Sequence, residues 1–313
     1  MSQSEESTVL ASAAPAGKSR KRESVKANAG EAPLKQAAPR SRAAGAASRG
    51  KKSADQAAAA KPAAVKPAAP RPATAKPASK PAPQPIGPLL EQLPPGRKPD
   101  GRMLFGRTVT LEPLDVARHA QPLYDASHGS VDPEGRIWTY MFYGPWDNFQ
   151  AFRAWIEAQA KSADPLFFAI VPRVTRKPAG MAAYMSIRPE AGVIEIGNIW
   201  LAPVLQKTRE ATEAIFLLMR HAFEELGIRR LEWKCDSLNA PSRAAAARFG
   251  FTYEGVFRKH MVVKGRNRDT AWFSMTDDEW PAIRAEFQRW LDDRNFDQAG
   301  RQLTPLNPPT RGA

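Results

Sequence analysis

The first hundred residues of this 313-residue chain contain no Phe, Tyr or Trp, and all 27 aromatic residues lie from Phe105 onward. The same stretch holds 15 of the 29 prolines among runs of Ala. A segment without aromatics and broken by proline cannot bury enough apolar surface to offset its ordering entropy. Residues 1–100 therefore read as a disordered tail, and residues 101–313 as one folded domain. Cysteine is nearly absent: Cys235 stands alone, which excludes an intrachain disulfide and a cysteine-rich metal site. His119, His128, His221 and His260 form no ligand-spaced pair, so no metal is expected. No run approaches the roughly 18 apolar residues of a membrane span. The start, Met1-Ser2-Gln3-Ser4-Glu5-Glu6, lacks the basic and apolar regions of a secretory signal. A soluble protein of the reducing cytoplasm is the expectation.

Charge divides along the same boundary. Residues 1–100 carry 18 Lys and Arg against 7 Asp and Glu, which is +11 of the chain's +14 and leaves +3 for the remainder. The whole-chain basicity is thus no sign that the folded part binds nucleic acid. From Lys61 a rhythm runs through Lys61-Pro62-Ala63, Lys66-Pro67-Ala68, Arg71-Pro72-Ala73, Lys76-Pro77-Ala78 and Lys80-Pro81-Ala82. Proline at this density favours an extended polyproline strand with spaced cations, which attracts polyanions without reading sequence. The stretch resembles the Lys-Pro-Ala tails of linker-histone-like proteins. A solvated spacer and a weak nucleic-acid or ribosome contact both remain open.

In the folded part, apolar periodicity predicts a mixed α/β order: strand, helices, three strands, helix, strand, helix, two strands. Arg107 to Leu111 alternates as a strand, Asp115 caps a helix to about Tyr124, and a second helix runs from about Asn148 through Ile156. Strands follow at Leu166–Val171, Gly180–Ile187 and Val193–Leu201. Ala211–Leu226 is the clearest helix, with Ile215, Leu218, Met219, Ala222 and Leu226 on one stripe and Gly227 as its cap. Arg230–Cys235 alternates, predicting a buried face of Leu231, Trp233 and Cys235 and a solvated face of Arg230, Glu232 and Lys234. A short helix at Pro241–Phe249, a hairpin of Phe251–Phe257 with Thr270–Met275, and a helix opened by the capping box Thr276-Asp277-Asp278-Glu279 complete the chain. Arg266 and Arg268 are expected at the hairpin turn, as a carboxylate clamp or simply solvated.

The chemistry points to strand–loop–helix units. Ile199-Trp200-Leu201 leads through Gln206, Lys207, Thr208, Arg209, Glu210, Ala211 and Thr212 into a helix, whose first amides and dipole suit an anion. Downstream, Asn239, Ser242, Gly250 and Phe251 are spaced as Asn-x-x-Ser leading to Gly-Phe, with Glu195-Ile196-Gly197 upstream. Together these resemble the GNAT superfamily of N-acetyltransferases over about residues 105 to 280, and most the branch that acetylates the N-termini of ribosomal proteins.

The resemblance implies a GNAT-like fold in which the strands Val193–Leu201 and Arg230–Cys235 splay and acetyl-CoA lies between them. It implies that backbone groups at Ile199 to Leu201 pair with the pantetheine arm, that the loop Gln206 to Thr212 holds the pyrophosphate, and that Asn239 bonds the cofactor. Ser242 and Cys235 match positions assisting thiolate departure and substrate positioning. Arg209 departs from the pattern, standing where the family has its first loop glycine, so its side chain should crowd the phosphates or swing out and bond them.

Glu195 is the candidate base that takes the proton from the attacking amine. It could equally hold a structural ion pair. Cys235 reads as apolar filler as well as a catalytic candidate, and Ser242 as an ordinary first-turn residue as well as an acid. The aromatic loop Ile137–Trp146 suits either an acceptor wall or a core. The implied acceptor is a protein N-terminus, with a small-molecule amine as the next choice. The rival from another class is a catalytically weak CoA-binding or nucleic-acid-associated module whose tail carries the function.

Overall fold

A computed structural model describes residues 84–90 and 96–310. The tail reading for residues 1–100 falls outside the described residues up to 83 and from 91 to 95. By Gly96 the backbone is already tied to the domain: the Gly96 N–H donates to the Pro189 carbonyl at 2.8 Å and the Arg97 N–H to the Leu226 carbonyl at 2.7 Å.

The elements run β1 (Leu104–Phe105), β2 (Val109–Pro113), α1 (Val116–Ser127), α2 (Phe149–Ala160), β3 (Leu166–Pro172), β4 (Gly180–Arg188), β5 (Val193–Leu201), α3 (Arg209–Arg220), β6 (Arg230–Asp236), α4 (Ala240–Arg248), β7 (Thr252–Val263), β8 (Arg266–Thr276) and α5 (Trp280–Leu291). All eight strands join one mixed sheet, ordered β1-β2-β3-β4-β5-β6-β8-β7. Every neighbouring pair is antiparallel except β5 with β6, which α3 connects in parallel. The mixed α/β order read from periodicity holds from β2 onward; the two-residue strand β1, too short to show an alternation, is an addition to it.

Helix starts follow their caps. Asp115 accepts from Arg118 N–H at 2.8 Å, Asn148 from Ala151 N–H at 2.9 Å and Thr208 from Ala211 N–H at 3.1 Å. Each such cap contributes about 1 kcal/mol. The Thr208 cap starts α3 two residues before the predicted Ala211. The helix ends through a π turn, His221–Glu225, and closes on Gly227 at φ +65°. Glu279 accepts from Thr276 N–H at 2.8 Å, the return half of the capping box, yet α5 begins only at Trp280 because residues 277–279 first form a turn.

The closing hairpin is longer than predicted. Lys264 and Gly265, at φ +49° and +72°, form a tight turn suited to hairpins, so Arg266 opens β8 and Arg268 lies inside it. Arg268 is buried and neither turns the chain nor faces bulk water.

The period of two along each strand splits the core into two layers. On one face Phe168, Ile170, Ala182, Tyr184, Ile194, Ile196, Leu231 and Trp233 pack against the apolar stripes of α3 and α5. On the other, Phe167, Ala169, Met181, Ala183 and Trp200 pack against α1, α2 and Trp138. The aromatic loop between α1 and α2 is mostly core: Trp138 is fully buried, its ring 5.1 Å from Trp146 and 5.2 Å from Trp200. Phe142 is the exposed member. Among the described residues no helix is long and apolar enough to cross a membrane.

Candidate active site

The two parallel strands pair over only three positions: Val193 with Arg230, Ile194 with Leu231 and Glu195 with Glu232. Beyond them β5 continues against β4 alone and β6 against β8 alone. From Ile196 on, the β5 edge facing β6 has no strand partner, and its backbone N–H and C=O groups open into a V-shaped gap. A register shift against β4, with Asn198 at φ +50°, bulges β5 halfway along this edge. Ile199 and Leu201 are half-buried at the V, whereas the Trp200 ring turns into the layer beneath α1 and α2.

The loop closing this edge is held by its own polar groups. Gln206 Nε2 donates to the Leu201 carbonyl at 3.0 Å, and the Thr208 hydroxyl donates to the Leu205 carbonyl at 2.8 Å while capping α3. Lys207 is exposed and takes a left-handed φ of +60°, a conformation that favours glycine. Glu210 is half-buried, Ala211 and Thr212 are buried, and the Thr212 hydroxyl accepts from Arg248 Nη1 at 3.1 Å.

The Arg209 side chain is engaged on the far side of the helix start. Its Nη2 donates to Asp293 Oδ1 at 2.7 Å and also to the Leu291 carbonyl, and its guanidinium lies 4.2 Å over the Phe296 ring. The side chain is a tie to the segment after α5, and only its backbone amide remains at the helix start.

At the other side of the V, Asn239 Oδ1 caps α4 by accepting from Ser242 N–H at 3.1 Å. Among the described residues its Nδ2 makes no hydrogen bond. The Ser242 hydroxyl accepts from Trp233 Nε1 at 3.0 Å and lies beside the Cys235 thiol. Cys235 is buried, and burial pushes its thiol up, away from the thiolate form.

Glu195 sits where the strands part. It is 4% exposed and accepts from Lys234 Nζ at 2.7 Å and Ser186 Oγ at 3.1 Å. Burial pushes its carboxyl above the usual range, against the pull of Lys234 and Ser186. Its strand neighbour Glu232 behaves oppositely. Burial would raise it too, but Lys234 at 2.9 Å, Arg230 at 2.9 Å and Arg188 at 3.1 Å together hold it below that range. Of the two carboxylates, Glu195 is the better proton acceptor near neutral pH.

The face predicted to be solvated is therefore a buried ionic floor: Glu232 is 3% exposed, and Lys234 lies between both carboxylates and the Trp272 ring, 4.2 Å away. Sequence alternation marked these residues as one face but carried no sign that a parallel neighbour would bring a second carboxylate beside them. Nor did it join the three named catalytic candidates into one cluster, and the structure does not either. Glu195 shares the α1–α2 face with Lys234, whereas Cys235 lies with Leu231 and Trp233 on the opposite face. Both faces border the V. Among the described residues no group of three or more His, Cys, Asp or Glu is placed to hold a metal.

Comparison with known proteins places this geometry. A family model described as an acetyltransferase (GNAT) domain matches residues 108–252. A GCN5-related N-acetyltransferase from Brucella melitensis is 48% identical, with a TM-score of 0.67, covering 69% of this chain and 97% of that one. A GNAT-family acetyltransferase structure from Chromobacterium violaceum is 41% identical, with a TM-score of 0.59, covering 65% of this chain and 100% of that one. A Bacillus subtilis protein named as a ribosomal N-acetyltransferase, YdaF, is 35% identical over 86 residues, which are 28% of this chain and 46% of that protein. The chain thus spans about half the length of that curated relative.

Proposed function

We propose that this chain, which belongs to the GNAT family of acetyltransferases, moves an acetyl group from acetyl-CoA to a primary amine, and that this amine is a protein N-terminus. The observation that carries the reading is the V between β5 and β6, with the buried carboxyl of Glu195 at its apex and the start of α3 beside it. The name of the Bacillus subtilis relative supports a ribosomal protein as acceptor.

The residues present fit acetyl-CoA. The unpartnered β5 edge offers alternating donors and acceptors for an amide-bearing arm, and a helix start binds phosphate through its first amides. Lys207 is exposed at that start, and the Asn239 amide group faces from the other side. Bound there, acetyl-CoA supplies an acyl carbon activated by a thiol leaving group. Glu195 takes the proton from the incoming ammonium, leaving the nitrogen lone pair free to form the new N–C bond. Backbone N–H groups of β5 past the Asn198 bulge donate to the carbonyl oxygen as negative charge grows on it. As the C–S bond breaks, the Ser242 hydroxyl gives its proton to the sulfur and takes up the second proton that leaves the nitrogen, so the hydroxyl is restored. Cys235, a neutral buried thiol beside Ser242, forms no acyl bond of its own.

The test is thermal stabilisation by acetyl-CoA and by CoA, followed by thiol release across amines and peptides. A tenfold excess of ligand over Kd adds about 1.4 kcal/mol. No stabilisation at millimolar acetyl-CoA overturns the reading.

A further inference from the structure

Arg268 is 6% exposed, and among the described residues its side chain makes no ion pair and no hydrogen bond. Its Nε is buried without a partner, and its guanidinium lies 4.7 Å over the Phe142 ring, which offers a face but no hydrogen-bond acceptor. A guanidinium that loses most of its hydration with no compensating anion is costly to hold. Lys234, on the neighbouring strand, is not in this condition, since it pairs with Glu195 and Glu232.

Its position is specific. β6 ends at Asp236, which pairs with Thr270 of β8, so Arg268 stands two residues beyond the end of β6. Alternation puts it on the same sheet face as Thr270 and Trp272, hence on the face of Lys234 and Glu195. Asp236, Cys235 and Glu195 act on its charge, and its charge acts in turn on His260, yet none of these groups bonds it. Loop and hairpin converge above: Tyr140 donates to the Leu238 carbonyl at 3.1 Å, and Lys264 Nζ to the Trp138 carbonyl at 2.8 Å. Phe142, 43% exposed, is thereby held over Arg268 at the mouth of the V. Trp272 Nε1, on the same strand face, is a second buried donor without a partner.

We propose that Arg268 is an acceptor-binding residue that pairs with a carboxylate carried by the acceptor close to its reacting amine. A planar fork of N–H donors matches a carboxylate two bonds at a time, and such charge-assisted pairs are the strong ones. Acceptors are then acidic amines: an N-terminus followed within a few residues by Asp or Glu, or a free amino acid presenting its α-carboxylate. This rests on the amine-acetylation reading, and it adds the substrate class.

The experiment pairs acceptors that differ only in carboxylate against carboxamide: a hexapeptide with Glu or Gln at its second residue, and an amino acid or its α-amide. Binding to CoA-loaded protein is measured by calorimetry, and thiol release from acetyl-CoA in parallel. The wild-type protein is expected to bind the carboxylate member at least about tenfold more tightly, the worth of one charge-assisted pair. The peptide pair and the amino-acid pair tell the two sources apart. Arg268→Gln is expected to bring the ratio close to one, and Arg268→Lys to restore part of it. The loss should fall on KM more than on kcat. Equal affinity of the wild-type protein for both members of both pairs overturns the proposal, whatever the variants do. So does an Arg268→Gln protein that still binds acetyl-CoA and keeps the full preference. A carboxylate preference that vanishes in Arg268→Gln, found without any thiol release, upholds Arg268 and defeats acetyl transfer instead.

Discussion

Glu195 and Lys234 meet in a 2.7 Å ion pair across two strands that separate immediately beyond them. Lys234 lies on β6 two residues past Glu232, the last residue paired with β5, so the pair bridges the start of the gap and pulls the proposed base down against the upward push of burial.

Glu195→Gln should lower kcat by about 10²–10⁴-fold, the usual contribution of a positioned base, with acetyl-CoA affinity little changed. Steady-state kinetics and a cofactor titration check this. A variant keeping more than about half of wild-type turnover would remove Glu195 from the mechanism.

The pH profile follows from the direction of the shift. Burial raises the Glu195 carboxyl above its usual range and Lys234 lowers it, with Ser186 helping and Glu232 opposing. A base must be ionised, so kcat/KM should climb with pH through an acid limb lying above 4.5. Lys234→Met removes the lowering partner, and the limb should move to higher pH. A limb that stays in place, or moves down, contradicts the assignment.

Arg209→Ala should destabilise the fold by about 1–3 kcal/mol, because a charged hydrogen bond to Asp293 and a ring contact with Phe296 are lost. Denaturant unfolding reads this cost. Acetyl-CoA affinity should change little, since the side chain points to the segment after α5. A large loss of affinity with unchanged stability would return Arg209 to the phosphates.

Cys235 should resist alkylation in the native protein and react fully once unfolded, as its thiol is buried and pushed up. Mass spectrometry after iodoacetamide measures this. Cys235→Ala should keep turnover within about a factor of three, because a neutral thiol is no nucleophile at working pH.

Removing residues 1–95 keeps the Gly96 and Arg97 hydrogen bonds to the domain, so melting temperature and turnover on a small amine should hold. The 313-residue chain should bind duplex DNA or RNA more steeply with falling salt than the shortened one. Each neutralised phosphate contributes about −0.9 to the log–log slope on duplex DNA. Equal slopes would put the basic surface on the domain.

Much of this protein is local in origin. The stripe of Ile215, Leu218, Met219 and Ala222 makes α3, the alternation of Leu231, Trp233 and Cys235 makes β6, and the side chains of Asp115, Asn148 and Asn239 end the preceding loops at helix starts. These follow from periods of 3.6 and 2 and from capping hydrogen bonds, all within a few residues of sequence. The V and its ionic floor do not. Whether Glu232 and Lys234 face water or another strand depends on β5 lying parallel to β6, a pairing that brings together residues 37 apart, from Glu195 to Glu232. The same holds for Arg209, whose partner Asp293 is 84 residues away, and for Arg268, whose burial is completed by Phe142 from the loop before α2. The sequence determined which faces could be apolar and where helices could begin; only the tertiary structure decided which charges would be paired and which would be buried, because electrostatic energy depends on distances that the chain acquires only when distant strands come together.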